Sequence, residues 1–396
     1  MSRICITGMG VISAIGNSVA TNREALQQGV TGISKTSSFL SRYAGQLPFA
    51  EVKITTAALQ QQLKITQAGV TRTSLLALHA MQQAITEAQL TANVLAENHT
   101  ALIGASTVGG MCLTDELYAD ANSKKGIGSE YVGSYDNASV TLFLQKHYGI
   151  GGIVNTINTA CSSSANAIAF GVRLIKSGLA KRAVVGGADS LAKFTINGFK
   201  ALHILSDAPC APFDAERKGL NLGEAGAFLV LEKEEDLKGR KAYGVVSGYG
   251  NSNDSFHPSS ISPEGEGPFL SMQQAINMAG LQPEMIDVIN AHGTATENND
   301  ETESVAMQRL FEKVPVFMST KSYTGHTLGA AGAIEAIYSL LKLYYGEVYK
   351  SLQFNKPIAA TGLVPQLQYD SMALQHIMSN SFGFGGNCSS LVFSKI

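Results

Sequence analysis

A five-residue string, Met-Gln-Gln-Ala-Ile, occurs twice in this chain, at residues 81–85 and at residues 272–276. Each copy lies in a helix-like stretch that leads towards a β-rich run, at 101–104 after the first copy and at 287–290 after the second. Five matching residues alone could arise by chance, but the same order of elements surrounds both copies. The repetition therefore predicts a fold built twice on one plan, with the halves meeting near residue 245.

Strand-like and helix-like runs alternate along the whole chain, which predicts an α/β fold. The expected strands include residues 101–104, 182–186, 227–231 and 285–290, and the expected helices include residues 74–89, 163–176, 268–279 and 329–343. Polar stretches rich in glycine or serine, at 122–129 and 252–267, are expected to be loops. We place the boundary so that residues 1–245 form the first half and residues 246–396 the second.

The composition supports closely packed, buried elements. Only 15% of the 396 residues are charged and 45% are hydrophobic, as in a compact enzyme or an obligate oligomer. The 40 glycines against 10 prolines indicate tight turns and close helix packing rather than a disordered linker. Small residues dominate the predicted helices 163–176 and 329–343, so we expect both to be central and buried.

Charge and cysteine usage exclude several classes of protein. A net charge of −2 gives no overall basic field for nucleic acid, and no run approaches the ~18 apolar residues of a membrane span. The five cysteines are far apart without a CxxC pair, which argues against a structural zinc site or a disulfide framework. With a strand-like run directly at the N-terminus instead of a signal peptide, the chain is expected to be cytoplasmic.

Cys161 stands between a β-rich run at 153–157 and the predicted helix at 163–176. At a helix N-terminus the dipole and the free N–H groups stabilise a thiolate, and the same N–H groups can receive the oxyanion of a thioester under attack. Most free cysteines are instead small buried apolar residues, which is how we interpret Cys5, Cys112 and Cys210. The junction position predicts that Cys161 is a nucleophile.

Two histidines, His292 and His326, each follow a strand-like run in the second half. A single loop histidine is usually a surface residue or a helix cap, but open α/β sheets bind ligands at the carboxyl ends of strands. We therefore predict a catalytic role for both. Lys321, at the end of the strand-like run at 316–321 and five residues before His326, would favour anionic forms nearby. Glu335 is either its partner or an ordinary exposed helix charge.

Glycines flank Phe384 in the string Ser-Phe-Gly-Phe-Gly-Gly at 381–386. They indicate a backbone turn that another group can approach closely. Such a turn can present an N–H group to an oxyanion, and it can equally be a plain hairpin turn. The string alone does not decide between these two interpretations.

Five strings carry a resemblance to a known family: NTACSSS at 158–164, PFDAERKGLNLGEAGAFLVLE at 212–232, NAHGTAT at 290–296, STKSYTGHTLGAAGAIEA at 319–336 and NSFGFGG at 380–386. In this order they resemble the elongating β-ketoacyl-acyl-carrier-protein synthases of the thiolase superfamily, and the resemblance covers nearly the whole chain. It implies the thiolase fold, in which two similar β/α halves form five layers (αβαβα), usually as a dimer.

The resemblance also implies the reaction, a decarboxylative Claisen condensation. Cys161 matches the nucleophile that carries the acyl chain, and His292 and His326 match the pair that promotes decarboxylation of a malonyl thioester and stabilises the enolate. Lys321 matches the lysine that supports this site, with Glu335 as its partner. No metal or redox cofactor is implied, because the substrates arrive on the phosphopantetheine arm of an acyl carrier protein.

Other positions of the family's site can be carried over in the same way. Phe384 resembles the gating phenylalanine, and its backbone N–H would form the oxyanion hole together with that of Cys161. Thr294 and Thr296 match threonines that contact the phosphopantetheine arm. Val108 matches a position at the end of the acyl pocket, near the dimer partner.

Two alternatives and one surface remain open. A degradative thiolase would need a second active cysteine, for which Cys388 is the candidate. Chain-length factors resemble this family but lack the nucleophile, so Cys161 makes this chain the catalytic member, either as a homodimer or as a heterodimer with such a factor. Lys124 and Lys125 fall where the family places basic residues for the acidic carrier protein, although a solvated pair of loop charges fits equally well.

Three departures from the family pattern bear on the substrate. Asn387 and Cys388 replace a common Thr-Asn pair, Glu297 replaces a common proline, and Leu220-Asn221 replaces a common Phe-Val pair. These positions border the malonyl side or the acyl pocket in the family. They favour a ketosynthase of the polyketide or aryl polyene branch over one of housekeeping fatty acid elongation.

Overall fold

Ten strands form one mixed sheet in the computed structural model of this chain, which describes residues 2–35, 39, 41–113 and 132–396. They are β1 (Ile4–Ile12), β2 (Thr100–Ala105), β3 (Val154–Ile157), β4 (Arg182–Asp189), β5 (Ala225–Lys233), β6 (Val245–Asn253), β7 (Val288–Asn290), β8 (Val316–Met318), β11 (His376–Phe382) and β12 (Asn387–Ser394). A separate two-stranded sheet consists of β9 (Glu347–Val348) and β10 (Asp370–Ser371).

The helices of the described residues alternate with these strands. They are α1 (Val19–Gln28), α2 (Thr56–Leu63), α3 (Arg72–Glu87), α4 (Ala92–Leu95), α5 (Ser139–Tyr148), α6 (Ser163–Lys176), α7 (Lys193–Ala201), α8 (Glu266–Ala279), α9 (Glu297–Leu310), α10 (Lys321–Thr324) and α11 (Ala331–Tyr345). Within the part of the chain that the structure describes, none of them has the length and apolar character needed to cross a membrane.

The order of strands in the large sheet is β3-β2-β4-β5-β1-β6-β12-β11-β7-β8. From the β3 edge inward, two parallel pairings are followed by two antiparallel ones. The same succession runs inward from the β8 edge, which confirms the duplicated fold. The halves join where Cys5 of β1 pairs with Val245 of β6. A domain boundary between residues 245 and 246 remains a prediction.

The two copies of the repeated string occupy equivalent places, on α3 and on α8. A Cβ atom added to Gly8 of β1 would lie 2.2 Å from the carbonyl oxygen of Ala84, the fourth residue of the first copy. One added to Gly248 of β6 would lie 2.1 Å from the carbonyl oxygen of Ala275, the fourth residue of the second copy. In both halves, glycine thus lets the helix lie directly on the strand.

The helices form three layers around the two halves of the sheet. In the centre, α6 and α11 pack against each other and against strands of both halves. The outer face of the first half is covered by α3 and α5, and that of the second half by α8 and α9. The result is the predicted five-layer αβαβα arrangement.

Several element boundaries differ from the prediction. Helix α6 has the predicted bounds, but α11 begins at Ala331 because residues 328–330 form a 3₁₀ turn. Lys321, expected at the end of a strand, begins the short helix α10. The expected loop at 252–267 includes the end of β6 and the start of α8, and the one at 122–129 lies outside the described residues.

Candidate active site

Cys161 lies in the turn between β3 and α6, after the carboxyl end of a parallel strand. The preceding residue, Ala160, has a φ angle of +53°, a left-handed conformation that costs a residue with a Cβ atom ~1–2 kcal/mol. Ser163 stabilises the turn, because its hydroxyl donates to the Ala160 carbonyl at 2.5 Å and accepts from the Thr159 N–H at 2.9 Å. The turn places Cys161 in the wall of a cavity.

The three side chains predicted to be catalytic lie together. The Sγ atom of Cys161 and one ring nitrogen each of His292 and His326 are within 4.8 Å of one another. All three residues are buried, and the imidazole rings are 5.5 Å apart at an angle of 86°. The first half of the fold contributes the cysteine, and the second half contributes both histidines.

His292 follows β7 and is held by two buried charged residues. Glu303 of α9 accepts hydrogen bonds from the backbone N–H groups of His292 and Gly293, both at 2.9 Å. Lys321 Nζ lies 3.2 Å from His292 Nδ1 and donates to the His292 carbonyl at 2.6 Å. Since an ammonium group can only donate, Nδ1 accepts, and the neutral ring carries its proton on Nε2.

His326 follows α10 and has the same tautomer. The Leu328 N–H donates to His326 Nδ1 at 3.0 Å, so the neutral ring again carries its proton on Nε2. The backbone of His326 pairs with the neighbouring stretch, donating to the Asn221 carbonyl at 2.7 Å and accepting from the Gly223 N–H at 3.0 Å. A zinc ligand needs a free lone pair, so this tautomer suits a hydrogen-bond donor better than a metal ligand.

Both histidines are held in the neutral form. Burial lowers the pKa of His292 and of His326 well below the ordinary value, and the positive charge of Lys321 lowers the pKa of each further. A charged imidazolium at either position would lose its hydration without gaining a carboxylate partner. Near pH 7 the site therefore contains two neutral N–H donors beside a sulfur atom.

Lys321 and Glu335 form a buried ion pair behind His292. Glu335 Oε1 lies 2.5 Å from Lys321 Nζ, and each side chain is 2% exposed. With the carbonyl and Nδ1 of His292, the ammonium group thus has three acceptors for its three hydrogens. Of the two interpretations of Glu335 from the sequence, the structure shows the partner of Lys321 and not an exposed helix charge.

The expected stabilisation of a Cys161 thiolate is outweighed in the unliganded site. Burial raises the pKa of Cys161 to about 11, and this effect exceeds the lowering by Lys321 and by the backbone N–H groups of Phe384 and Cys161. The resting side chain is therefore a thiol. The two N–H groups nevertheless lie within hydrogen-bonding reach of the sulfur, where donors can also bind the oxygen of a thioester.

A cavity of about 400 Å³ contains the three side chains. Thr294 and Thr296 line it with their hydroxyl oxygens 2.8 Å apart. The ring of Phe384 stacks on that of Phe199, with the centroids 5.7 Å apart. Other residues in the wall include the apolar side chains of Leu202, Ile204 and Leu220 and the polar side chains of Lys218, Ser259 and Asn298. Such a mixture suits a chain with one apolar and one polar end.

Val108 does not line this cavity but lies in a neighbouring apolar cluster that includes Leu220, which lines the cavity as well. Its backbone N–H donates to buried Asp189 at 3.0 Å, which fixes its position. Val108 is therefore connected to the cavity wall through the cluster that contains Leu220, and it does not lie among the side chains around Cys161. Lys124 and Lys125 lie outside the described residues.

Cys388 is not part of the cluster around Cys161. It is fully buried beside Ile261 and Phe382, and burial raises the pKa of its thiol. Asn387 does not line the cavity either, but its Oδ1 accepts from the hydroxyl of Ser162, the residue after Cys161, at 2.7 Å. Among the departures from the family pattern, Glu297 and Leu220 line the cavity, whereas Asn387 and Cys388 do not.

Two residues that shape the site were not predicted from the sequence. The Glu303 carboxylate accepts from the backbone N–H groups of His292 and Gly293, and burial raises the pKa of Glu303 to about 7. Its position on a helix directly after the His292 strand was an available signal. Phe199 stacks on Phe384 from α7, and no local pattern in the sequence predicts a contact between residues so distant.

Two family models match this chain. Residues 1–237 match the beta-ketoacyl synthase N-terminal domain, and residues 243–355 match the beta-ketoacyl synthase C-terminal domain. The chain is 32% identical over 418 residues to a 3-oxoacyl-[acyl-carrier-protein] synthase 2 of Staphylococcus aureus (strain COL), which covers 99% of this chain and 98% of the relative.

Solved structures agree with these matches. One is the ishigamide ketosynthase/chain length factor, with a TM-score of 0.91 and 27% identity over 100% of this chain and 99% of the other. Another is the ketosynthase ApeO in complex with its chain length factor ApeC from Xenorhabdus doucetiae, with a TM-score of 0.87 and 31% identity over 100% and 98%. This chain therefore belongs to the β-ketoacyl synthase family.

Proposed function

We propose that this enzyme condenses an acyl chain held on Cys161 with a two-carbon unit from malonyl-acyl carrier protein, releasing carbon dioxide and a β-ketoacyl thioester. The observation that carries the proposal is the pair of neutral imidazoles whose Nδ1 atoms are occupied by donors, next to a cysteine within 4.8 Å. Two N–H donors and one nucleophile are what a decarboxylation followed by acyl transfer requires.

The first half-reaction loads the acyl chain. The Cys161 sulfur forms a bond to the thioester carbonyl, and the carrier thiol leaves with the proton that Cys161 gives up. The backbone N–H groups of Cys161 and Phe384 bind the oxyanion of the tetrahedral intermediate. Because the resting pKa of Cys161 is about 11, we expect the proton to leave as the substrate binds rather than beforehand.

The second half-reaction makes the carbanion. The bond between the malonyl carboxyl and its α-carbon breaks, carbon dioxide leaves, and the electron pair forms an enolate whose oxygen accepts from the Nε2–H groups of His292 and His326. The α-carbon then attacks the acyl carbonyl on Cys161, whose sulfur leaves and takes up a proton. Thr294 and Thr296, at the cavity wall, would bind the phosphopantetheine arm.

The experiment measures the two half-reactions separately. Intact mass of the protein after incubation with a panel of acyl-carrier proteins should show an acyl adduct that is absent in Cys161→Ala. His326→Ala should still be acylated but should release carbon dioxide from malonyl-carrier protein at least ~100-fold more slowly. An adduct that persists in Cys161→Ala would contradict the proposal.

Cys388→Ser is the matched control for the alternative of a degradative thiolase. It replaces a cysteine outside the cavity, so condensation should be almost unchanged if Cys161 is the only nucleophile. A complete loss of activity in a folded Cys388→Ser protein would revive the thiolase alternative.

A second candidate is a ketosynthase that works only with a chain-length factor. It is favoured by the similarity to ketosynthases that were solved with their chain length factors, and Val108 would then line a pocket completed by the partner. We place the substrate in the polyketide or aryl polyene branch because Glu297 and Leu220 depart from the common pattern at the cavity wall. A cytoplasmic location and carrier-protein binding by Lys124 and Lys125 remain predictions.

A further inference from the structure

A second buried lysine lies close to the site and has no part in the mechanism above. Lys342 is on α11, two helical turns after Glu335 and on the same face. It is 0% exposed, and Lys321 and Lys342 are the two buried lysines of the described residues. Lys342 Nζ donates to Asn290 Oδ1 at 2.6 Å, and Asn290 ends β7, two residues before His292.

A buried ammonium group is costly unless nearby groups compensate for its lost hydration. Burial lowers the pKa of Lys342 to about 7, and the negative charge of Glu335 acts in the opposite direction. Both Lys321 and Lys342 lower the pKa of Glu335 against the effect of its burial. The Lys342 nitrogen also lies over the aromatic ring of Tyr349, 5.8 Å from the ring centroid. One carboxylate is therefore shared electrostatically by two lysines.

The polar atoms between these side chains are not all satisfied. Within the described residues, Glu335 Oε2 and Asn290 Nδ2 are buried and have no hydrogen-bond partner. Lys342 therefore supplies the one hydrogen bond that the Asn290 side chain makes there. Its removal would leave the Asn290 amide buried without any partner, directly beside the His292 backbone.

We propose that Lys342 is a positioning residue for His292. It holds the end of β7 through Asn290, and it balances Glu335 so that this carboxylate remains paired with Lys321. Lys342 touches no reacting atom, and the inference rests on the proposed function. Cys161 is fixed by the separate turn around Ser163, so Lys342 should affect decarboxylation and leave acylation alone.

The test separates the two half-reactions in Lys342→Met, which keeps the length of the side chain and removes its donor. We expect kcat for release of carbon dioxide from malonyl-carrier protein to fall about tenfold, with KM within about twofold of wild type. Acylation of Cys161, followed by intact mass, should stay within about twofold. Tyr338→Phe is the matched control, because Tyr338 is a buried polar residue of α11 that donates to Asn22.

A rescue experiment keeps the inference testable if Lys342→Met does not fold. Lys342→Ala should regain decarboxylation in the presence of methylammonium, which can donate to Asn290, and not in tetramethylammonium, which cannot. The inference is overturned if folded Lys342→Met decarboxylates at the wild-type rate, or if both half-reactions fall equally in Lys342→Met and Tyr338→Phe. Wild-type protein that neither acylates nor decarboxylates would instead overturn the proposed function.

Discussion

The behaviour of His292 and His326 depends on what each Nδ1 atom contacts. Lys321 occupies the first and the Leu328 N–H the second. Because both contacts are donors, each ring is fixed as a neutral imidazole with its N–H on Nε2. A single carboxylate in place of either donor would reverse the tautomer and favour an imidazolium. Two different donors thus give the two histidines the same chemistry.

The lowered histidine pKa values predict how stability depends on pH. Their folded-state pKa lies below the unfolded value of about 6.5, so the unfolded state binds more protons at acid pH. The contribution of the two histidines to stability should therefore be constant above pH ~7 and should fall as the pH drops below ~6.5. Urea unfolding of wild type and His326→Gln between pH 5 and pH 8 checks this. The variant should show a shallower acid loss, and parallel curves would contradict the assignment.

At this scale, the sequence predicted which side chains meet at the candidate site better than it predicted their ionisation. Cys161, His292 and His326 stand at ends of elements, which local patterns reveal. Backbone N–H groups do favour a Cys161 thiolate as expected, but burial outweighs them and raises the pKa of Cys161 to about 11. Burial depends on the whole fold, so a local argument about a helix dipole could not include it.

Contact between α6 and α11 sets the position of both halves of the site. A Cβ atom added to Gly332 of α11 would lie 2.5 Å from the backbone nitrogen of Ala165 in α6. The hydroxyl of Ser164 in α6 also contributes to this crossing, since its oxygen accepts a hydrogen bond from the Ala333 N–H at 2.8 Å. The close approach brings the turn that contains Cys161 near the segment that contains His326.

Gly332→Val should therefore destabilise the fold and misplace Cys161. We expect a loss of about 1–3 kcal/mol in the free energy of unfolding from overpacking, together with slower acylation. Gly198→Ala is the control, because Gly198 lies in α7 with no atom within 4 Å of an added Cβ. That variant should gain up to ~1 kcal/mol. Urea unfolding measures both, and equal stabilities of the two variants would contradict this account of the crossing.

Elements with a clear period were the easiest to predict. The helix at 163–176 has the expected bounds because small and apolar residues recur along its whole length. Lys321 was misplaced because β8 has only three residues and the chain turns at once into a four-residue helix. Elements this short carry too few residues for a periodic signal.

The two halves of the molecule contribute unequally to one site. Cys161 comes from the first half, while Lys321, Glu335 and both histidines come from the second. The repeat in the sequence predicted the equivalent placing of α3 and α8, whereas the division of the candidate residues was predicted from the positions of Cys161 and the two histidines. Equivalent elements share their packing glycines and not their reactive side chains.

At the scale of the whole molecule, the two forms of the proposed function differ in oligomeric state. We expect sedimentation of the purified chain to show a dimer if it acts as a homodimer. If it needs a chain-length factor, the chain alone should be monomeric or inactive, and co-expression with that factor should give an active heterodimer. A monomer with full condensing activity would contradict both forms of the proposal.

The single strand pairing between Cys5 and Val245 has a practical consequence. The exposed Lys238–Gly239 segment lies just before it, so a chain cut there yields one fragment with Cys161 and another with His292 and His326. Neither fragment could turn over alone. Formation of the β-ketoacyl product would then report reassociation of the two pieces, because the proposed condensation needs Cys161 from one and both histidines from the other.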